Sequence, residues 1–151
     1  MADIHIDDFY RDCAVIFLRL YSTFPRKIVL YVDDVCGPDT PDEFGLHSER
    51  HQSGFSAMTW LAEAGYIQFD ETIREEALDQ AVLTQRGFLL LSSRSELELG
   101  MPEEEPADDG LPPSVMERSQ TNINQVRGAL RDGSSIVVHQ VMHYLLSKHI
   151  P

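Results

Sequence analysis

Basic residues, cysteines and long apolar runs are what this chain has least of. Its 151 residues hold 12 Lys and Arg against 25 Asp and Glu, a formal net charge of -13. An acidic surface repels nucleic-acid phosphates and anionic headgroups. Composition therefore points to basic or neutral partners. The two cysteines, Cys13 and Cys36, form no CxxC pair, which excludes a zinc ribbon or dithiol motif of that kind. Cys13 falls on the apolar face of an expected helix and reads as a core thiol, while Cys36 sits beside a turn. The longest apolar run, CAVIFL, is far too short to span a bilayer. The opening MADIHIDDFYRDC is acidic where a secretory leader is basic, so a cytoplasmic protein of bacterial type is expected. GxSxG, Walker and GxGxxG motifs are also missing, so no nucleophile elbow or phosphate loop is in view and no enzyme is expected.

What is present suits one domain with at most an appendage. The hydrophobic fraction, 42%, is enough for a real core. From Asp7 to Tyr21, Phe9, Cys13, Ile16, Phe17 and Leu20 recur at helical spacing, and Asp7 and Asp8 suit the positive end of the helix dipole. Pro25 stops this helix. RKIVLYV reads as a short strand through Ile28, Val29, Tyr31 and Val32. DDVCGPDTPDEFGL is a loop with room for one helical turn. Ser48 is an expected N-cap for a helix whose buried stripe is Phe55, Met58, Leu61 and Ala62. Gln52, Ser56, Thr59 and Glu63 form its polar stripe, and Gly65 closes it.

After Gly65 the period changes. Ile67, Phe69 and Ile73 alternate as in a strand, REEA is a polar reversal, and ALDQAVL is the returning strand. Thr84 caps a helix over QRGFLLLSS. Between 94 and 118 the chain is acidic and rich in proline and glycine, and reads as a solvated linker. The remainder, 119–151, is an amphipathic helical extension. Ile123, Val126, Leu130, Gly133, Val137, Val141 and Tyr144 keep three/four spacing as one long helix. The alternative is two helices broken at Asp132–Gly133. This stripe is expected to pair with its own copy in a homodimer or with the N-terminal helix.

FSAMTWLAEAGYIQFD followed by AVLTQRGFLLLSS resembles the winged-helix superfamily, with a likeness running from about Asp7 to Ser93. The resemblance implies an α+β winged-helix domain over 1–93, with the long C-terminal helix appended. It also implies a DNA-reading helix ahead of the wing, which would turn Arg50, Gln52, Ser53, Ser56 and Thr59 toward a major groove, with Arg74 at the wing tip. This chain departs from that pattern in charge, because Glu49, Glu63, Asp70, Glu71, Glu75, Glu76 and Asp79 share the surface. Nonspecific DNA affinity comes from neutralised phosphates and needs Lys and Arg. The favoured expectation is a non-enzymatic interaction or assembly subunit of a bacterial cytosolic complex, and the alternative is a DNA-binding regulator.

Two histidine pairs, His47/His51 and His139/His143, have i, i+4 spacing and could share a metal on a helix face. HSERH is not HExxH, and the sequence names no third ligand, so ordinary surface or core histidines are expected, with no metal and no cofactor. The carboxylate pairs Asp7/Asp8, Asp33/Asp34 and Glu75/Glu76 read as solvated surface. Trp60, with Phe55 and Tyr66, reads as core rather than as a base-stacking platform.

Overall fold

The computed structural model describes residues 3–97 and 120–148. Among these residues there are six helices and a small antiparallel sheet, an α+β arrangement. Helix α1, Ile4–Thr23, starts one turn before Asp7 and ends just ahead of the cis Phe24–Pro25 bond. Its buried face is Cys13, Ile16, Phe17 and Leu20, the stripe that its spacing predicts, with Phe9 half-buried at one end. Strand β1, Ile28–Tyr31, leads directly into a short helix α2, Val32–Cys36, the helical turn for which the loop had room. Val32 therefore opens a helix instead of closing the strand.

Helix α3, Glu49–Glu63, begins where expected. The Ser48 hydroxyl accepts from the His51 N–H at 3.2 Å and satisfies a first-turn donor. Its buried face is His51, Gly54, Ala57, Met58 and Leu61, so Phe55 and Ala62 lie at the margin, half-buried. The helix closes at Gly65, where the Tyr66 N–H donates to Leu61 O and the Gly65 N–H to Ala62 O, at 3.0 and 3.1 Å. This paired bond pattern needs a left-handed residue, and Gly65 has φ +87°.

Strands β2, Ile67–Gln68, and β3, Glu71–Ile73, lie along β4, Ala77–Leu83, in one register. The Asp70 N–H bridges the gap between them by donating to Asp79 O at 2.9 Å. On its other side β4 pairs with β1, giving the order β1-β4-β2, and here the register shifts between Ile28 and Leu30. Gln80, at φ +56°, sits in β4 opposite this irregularity, as a bulge residue does. Helix α4, Gln85–Ser92, follows with the Thr84 hydroxyl accepting from the Gly87 N–H at 3.1 Å. The same hydroxyl donates to Gly65 O at 2.6 Å, which ties the end of α3 to the start of α4.

The one long C-terminal helix is replaced by two, α5, Asn122–Asp132, and α6, Ser135–Ser147. Gly133 does not continue the helix at a close helix–helix approach. It caps α5 in the left-handed region, at φ +76°, with its N–H donating to Ala129 O. A residue with no Cβ adopts this conformation at little cost, and the chain reverses there. Both helices join the cluster built on α1: Ile123, Val126, Val138, Val141, Met142 and Leu145 are buried with Phe17, Leu61, Leu78 and Leu90. The strip from Arg94 to Ser95 also bonds across to Gln120 and Thr121. Of the acidic segment expected at 94–118, everything from 98 onward lies outside the described residues, as do 119 and 149–151.

Candidate functional site

Helix α3 carries the residues that the resemblance turns outward, and their surroundings differ sharply. Arg50 points back at α1. Its Nη1 and Nη2 donate to Asp12 Oδ2 and Oδ1 at 2.7 and 2.6 Å, and its Nε lies 3.6 Å from Asp8. Asp12 is fully buried. Burial pushes its carboxyl up from the ordinary carboxylate range, while the hydrogen bonds that Arg50 donates to Asp12 raise Arg50 above its own ordinary value. The bidentate fork holds the pair together. Gln52, Ser53 and Ser56 are exposed and Thr59 is half-exposed, as expected, but Gln52 Nε2 donates to His47 O at 2.9 Å and Thr59 Oγ1 to Ser56 O at 3.1 Å.

Arg74 does lie at the hairpin turn. It and Glu75 both have positive φ, 48° and 58°, and the Glu76 N–H donates back to Ile73 O at 2.8 Å. This tight tip is tied to the helices. The Val32 N–H donates to Glu76 O at 2.9 Å, and His51 Nε2 lies 3.0 Å from Glu75 O. All of β3 is exposed, and Glu71, Glu75 and Glu76 surround Arg74 along the chain.

Beside the polar stripe, α3 and the first turns of α1 enclose an open groove of about 550 Å³, lined by His5, Ile6, Phe9, Gln52, Ser56 and Trp60 among others. Trp60 is not core. It is 43% exposed and meets Phe9 edge-on at 5.2 Å, while Tyr66 is buried against Phe17 and lies under the Arg86 guanidinium. One helical step separates Trp60 from the buried Leu61, so an aromatic in this apolar run has the sequence signature of an interior residue.

The stripe of the C-terminal extension is divided. Ile123, Val126 and Val141 are buried, Leu130, Val137 and Tyr144 are half-buried, and Gly133 forms the turn. Of the two pairings expected for this stripe, the one with the N-terminal helix is present. His139 and His143 lie on the α1 side of α6. Tyr10 Oη is 3.0 Å from His143 Nδ1, and His139 is 3.6 Å from Asp7.

The other histidine pair is differently placed. His47 precedes α3 and His51 lies in its first turn, and their rings stack face to face at 3.7 Å. Asp39, from the preceding loop, accepts from His47 Nδ1 at 2.9 Å and from the Ser48 N–H at 3.1 Å. Hydrogen bonds from Ser48, then from His47, lower its carboxyl to about 2, and the same contact raises His47. Glu76 lies 3.4 Å from His47 Nε2 and Asp33 lies 3.7 Å from His51 Nδ1. The sequence shows the i, i+4 spacing but not Asp39, which arrives through an aperiodic loop that gives no sign of where it returns.

Neither cysteine joins the Asp39–His47–His51 cluster. Cys13 is buried, and Cys36 Sγ contacts Val32 O at 3.4 Å. Among the described residues, no helix is long and apolar enough to cross a membrane. No protein-family profile matches the chain, and neither a curated protein nor a solved structure does so.

Proposed function

We propose that the chain is a non-enzymatic winged-helix module that binds another protein through the outer face of α3. The element order, helix–strand–helix–helix–hairpin with β4 central in the sheet, supports the winged-helix reading. The observation that carries the function is the Arg50–Asp12 fork. The one arginine of α3 commits both ends of its guanidinium to a buried carboxylate, which neutralises the charge it would offer a phosphate. What remains outward is neutral or acidic and borders an apolar groove with Trp60, Phe9 and Ile6 in its wall. Exposed aromatics rimmed by polar side chains suit protein contacts. The hairpin tip, bonded to α2 and α3 and flanked by glutamates, is a poor minor-groove probe.

The fork gives Arg50 a structural task and the buried stripe gives α5 and α6 an internal one. The net charge of -13 favours a neutral or basic protein of a cytoplasmic assembly as the partner, and a second copy is not required. A second reading, a DNA-binding regulator, rests on the exposed Gln52, Ser53 and Ser56, which share one face of α3. Two measurements separate them. Fluorescence anisotropy with labelled random duplex should show no binding at about 150 mM salt. Affinity capture from the host should recover one specific protein with the wild type and lose it with Trp60→Glu. Salt-dependent duplex binding weakened by Gln52→Ala and Ser56→Ala would overturn the proposal in favour of the regulator.

A further inference from the structure

The most exacting chemistry in the molecule lies at His51. Its side chain is 2% exposed, and Nε2 lies 3.0 Å from Glu75 O. A carbonyl oxygen only accepts, so Nε2 carries the proton and, in the neutral ring, Nδ1 is a bare lone pair. This Nδ1 is buried and has no hydrogen-bond partner among the described residues. It faces Asp33 Oδ1 at 3.7 Å and Asp39 Oδ2 at 4.0 Å. Protonating it would leave an N–H without an acceptor at hydrogen-bond distance. Leaving it bare sets a lone pair against two carboxylates. Either state is costly in a buried position. A cation satisfies all of these groups at once.

We propose that Asp39, His47 and His51 form a binding site for a late first-row divalent cation of the zinc class. One ligand atom from each of the three lies within 4.8 Å of the other two. Two imidazoles and one carboxylate suit zinc and its neighbours, whereas magnesium and calcium prefer all-oxygen sets. The His51 Nε2–H bond to Glu75 O is the orienting second contact that metal-bound histidines make. Water or Asp33, the nearest further carboxylate, would fill a fourth position. The two rings now lie 3.7 Å apart and within 10° of parallel, so they must turn about their Cβ–Cγ bonds to aim both lone pairs at one ion. The His47 proton now shared with Asp39 leaves as the ion enters. The bound ion would link the loop before α3, the first turn of α3 and, through Glu75, the hairpin tip. It would clamp the loop and the hairpin tip onto the first turn of α3.

The test uses the full chain stripped of metal with a chelator. Titration with Co²⁺ should give visible d–d absorption that saturates at one equivalent and is abolished by Zn²⁺, and Zn²⁺ should raise the melting temperature. Asp39→Asn and His47→Ala should each weaken Co²⁺ binding about 100-fold. The double variant His139→Ala/His143→Ala should bind as the wild type does. Because His47→Ala could disturb the cap at Ser48, a wild-type readout stands beside it. Zn²⁺ should protect His47 from diethyl pyrocarbonate, read by mass spectrometry, and should not protect His143. Substoichiometric binding, binding that survives both site variants, or unprotected His47 would overturn the proposal.

Discussion

At the residue scale, Asp12 is a carboxylate removed from water, and Arg50 answers it with both ends of its fork. Removing one member of a buried pair strands the other, which costs more than the pair contributes to stability. Arg50→Ala should therefore destabilise the protein by about 3 kcal/mol in urea unfolding. Asp12→Leu/Arg50→Met should recover most of that loss, because an apolar pair leaves no buried charge. An Arg50 free to read DNA would instead tolerate alanine with little change in stability. The thiols are a second case. Burial pushes Cys13 well above its ordinary value, and burial raises Cys36 less. Both are protonated at neutral pH, and only the thiolate reacts. Alkylation by iodoacetamide should thus be slow at pH 7, accelerate above pH 9, and label Cys36 before Cys13. Prompt labelling of Cys13 at pH 7 in native protein would mean that α1 opens.

At the element scale, α3 depends on its phase. Leu61 is fully buried, and an aspartate there would bring an unpaired charge into the core, at a cost on the order of 4 kcal/mol or more. Leu61→Asp should abolish the cooperative melt, whereas Glu63→Ala, on the exposed side, should leave it in place. The junction of α3 and α4 is as strict, because a Cβ at Gly87 would stand 2.1 Å from Tyr66 O. Gly87→Ala should cost about 3 kcal/mol by overpacking, measured as a lowered urea midpoint. Much at this scale is legible in the sequence. Ser48, Gly65 and Thr84 announce boundaries by local chemistry, and ALDQAVL matches β4 residue for residue, because caps and alternation need only near neighbours. What the sequence leaves open is of another kind. Gly133 suits both a helix contact and a left-handed stop, and only the tertiary placement of α6 on α1 selects the stop. Trp60 lies one step from the core face, and periodicity cannot place a residue at the edge of a stripe. The resemblance turns Arg50 toward a groove because nothing local reveals its partner, Asp12, 38 residues away. Asp39 joins the histidines through a loop whose path follows no period.

At the scale of the whole molecule, the question is which apolar surface is left over. The stripe on α5 and α6 suits either a homodimer or the N-terminal helix, and a single cluster with α1 takes up Ile123, Val126, Val141 and Met142. The large apolar side chains that stay exposed include Ile4, Phe44, Leu46, Trp60 and Ile136. They come from the start of α1, the loop before α3, the outer face of α3 and the start of α6, not from one helix stripe. Stable interfaces bury on the order of 800 Å² per partner around a contiguous apolar centre. Self-association must also bring together two chains of formal charge -13, and that repulsion grows as salt is lowered. Sedimentation velocity at micromolar concentration and low salt should therefore give the 17.1 kDa monomer. Raising the salt should change this little, because screening removes repulsion without supplying an interface. A dimer that persists at low salt and dissociates with Trp60→Glu would show that the α3 groove accepts a second copy. A dimer dissociated instead by Ile136→Glu would assign the contact to the exposed start of α6.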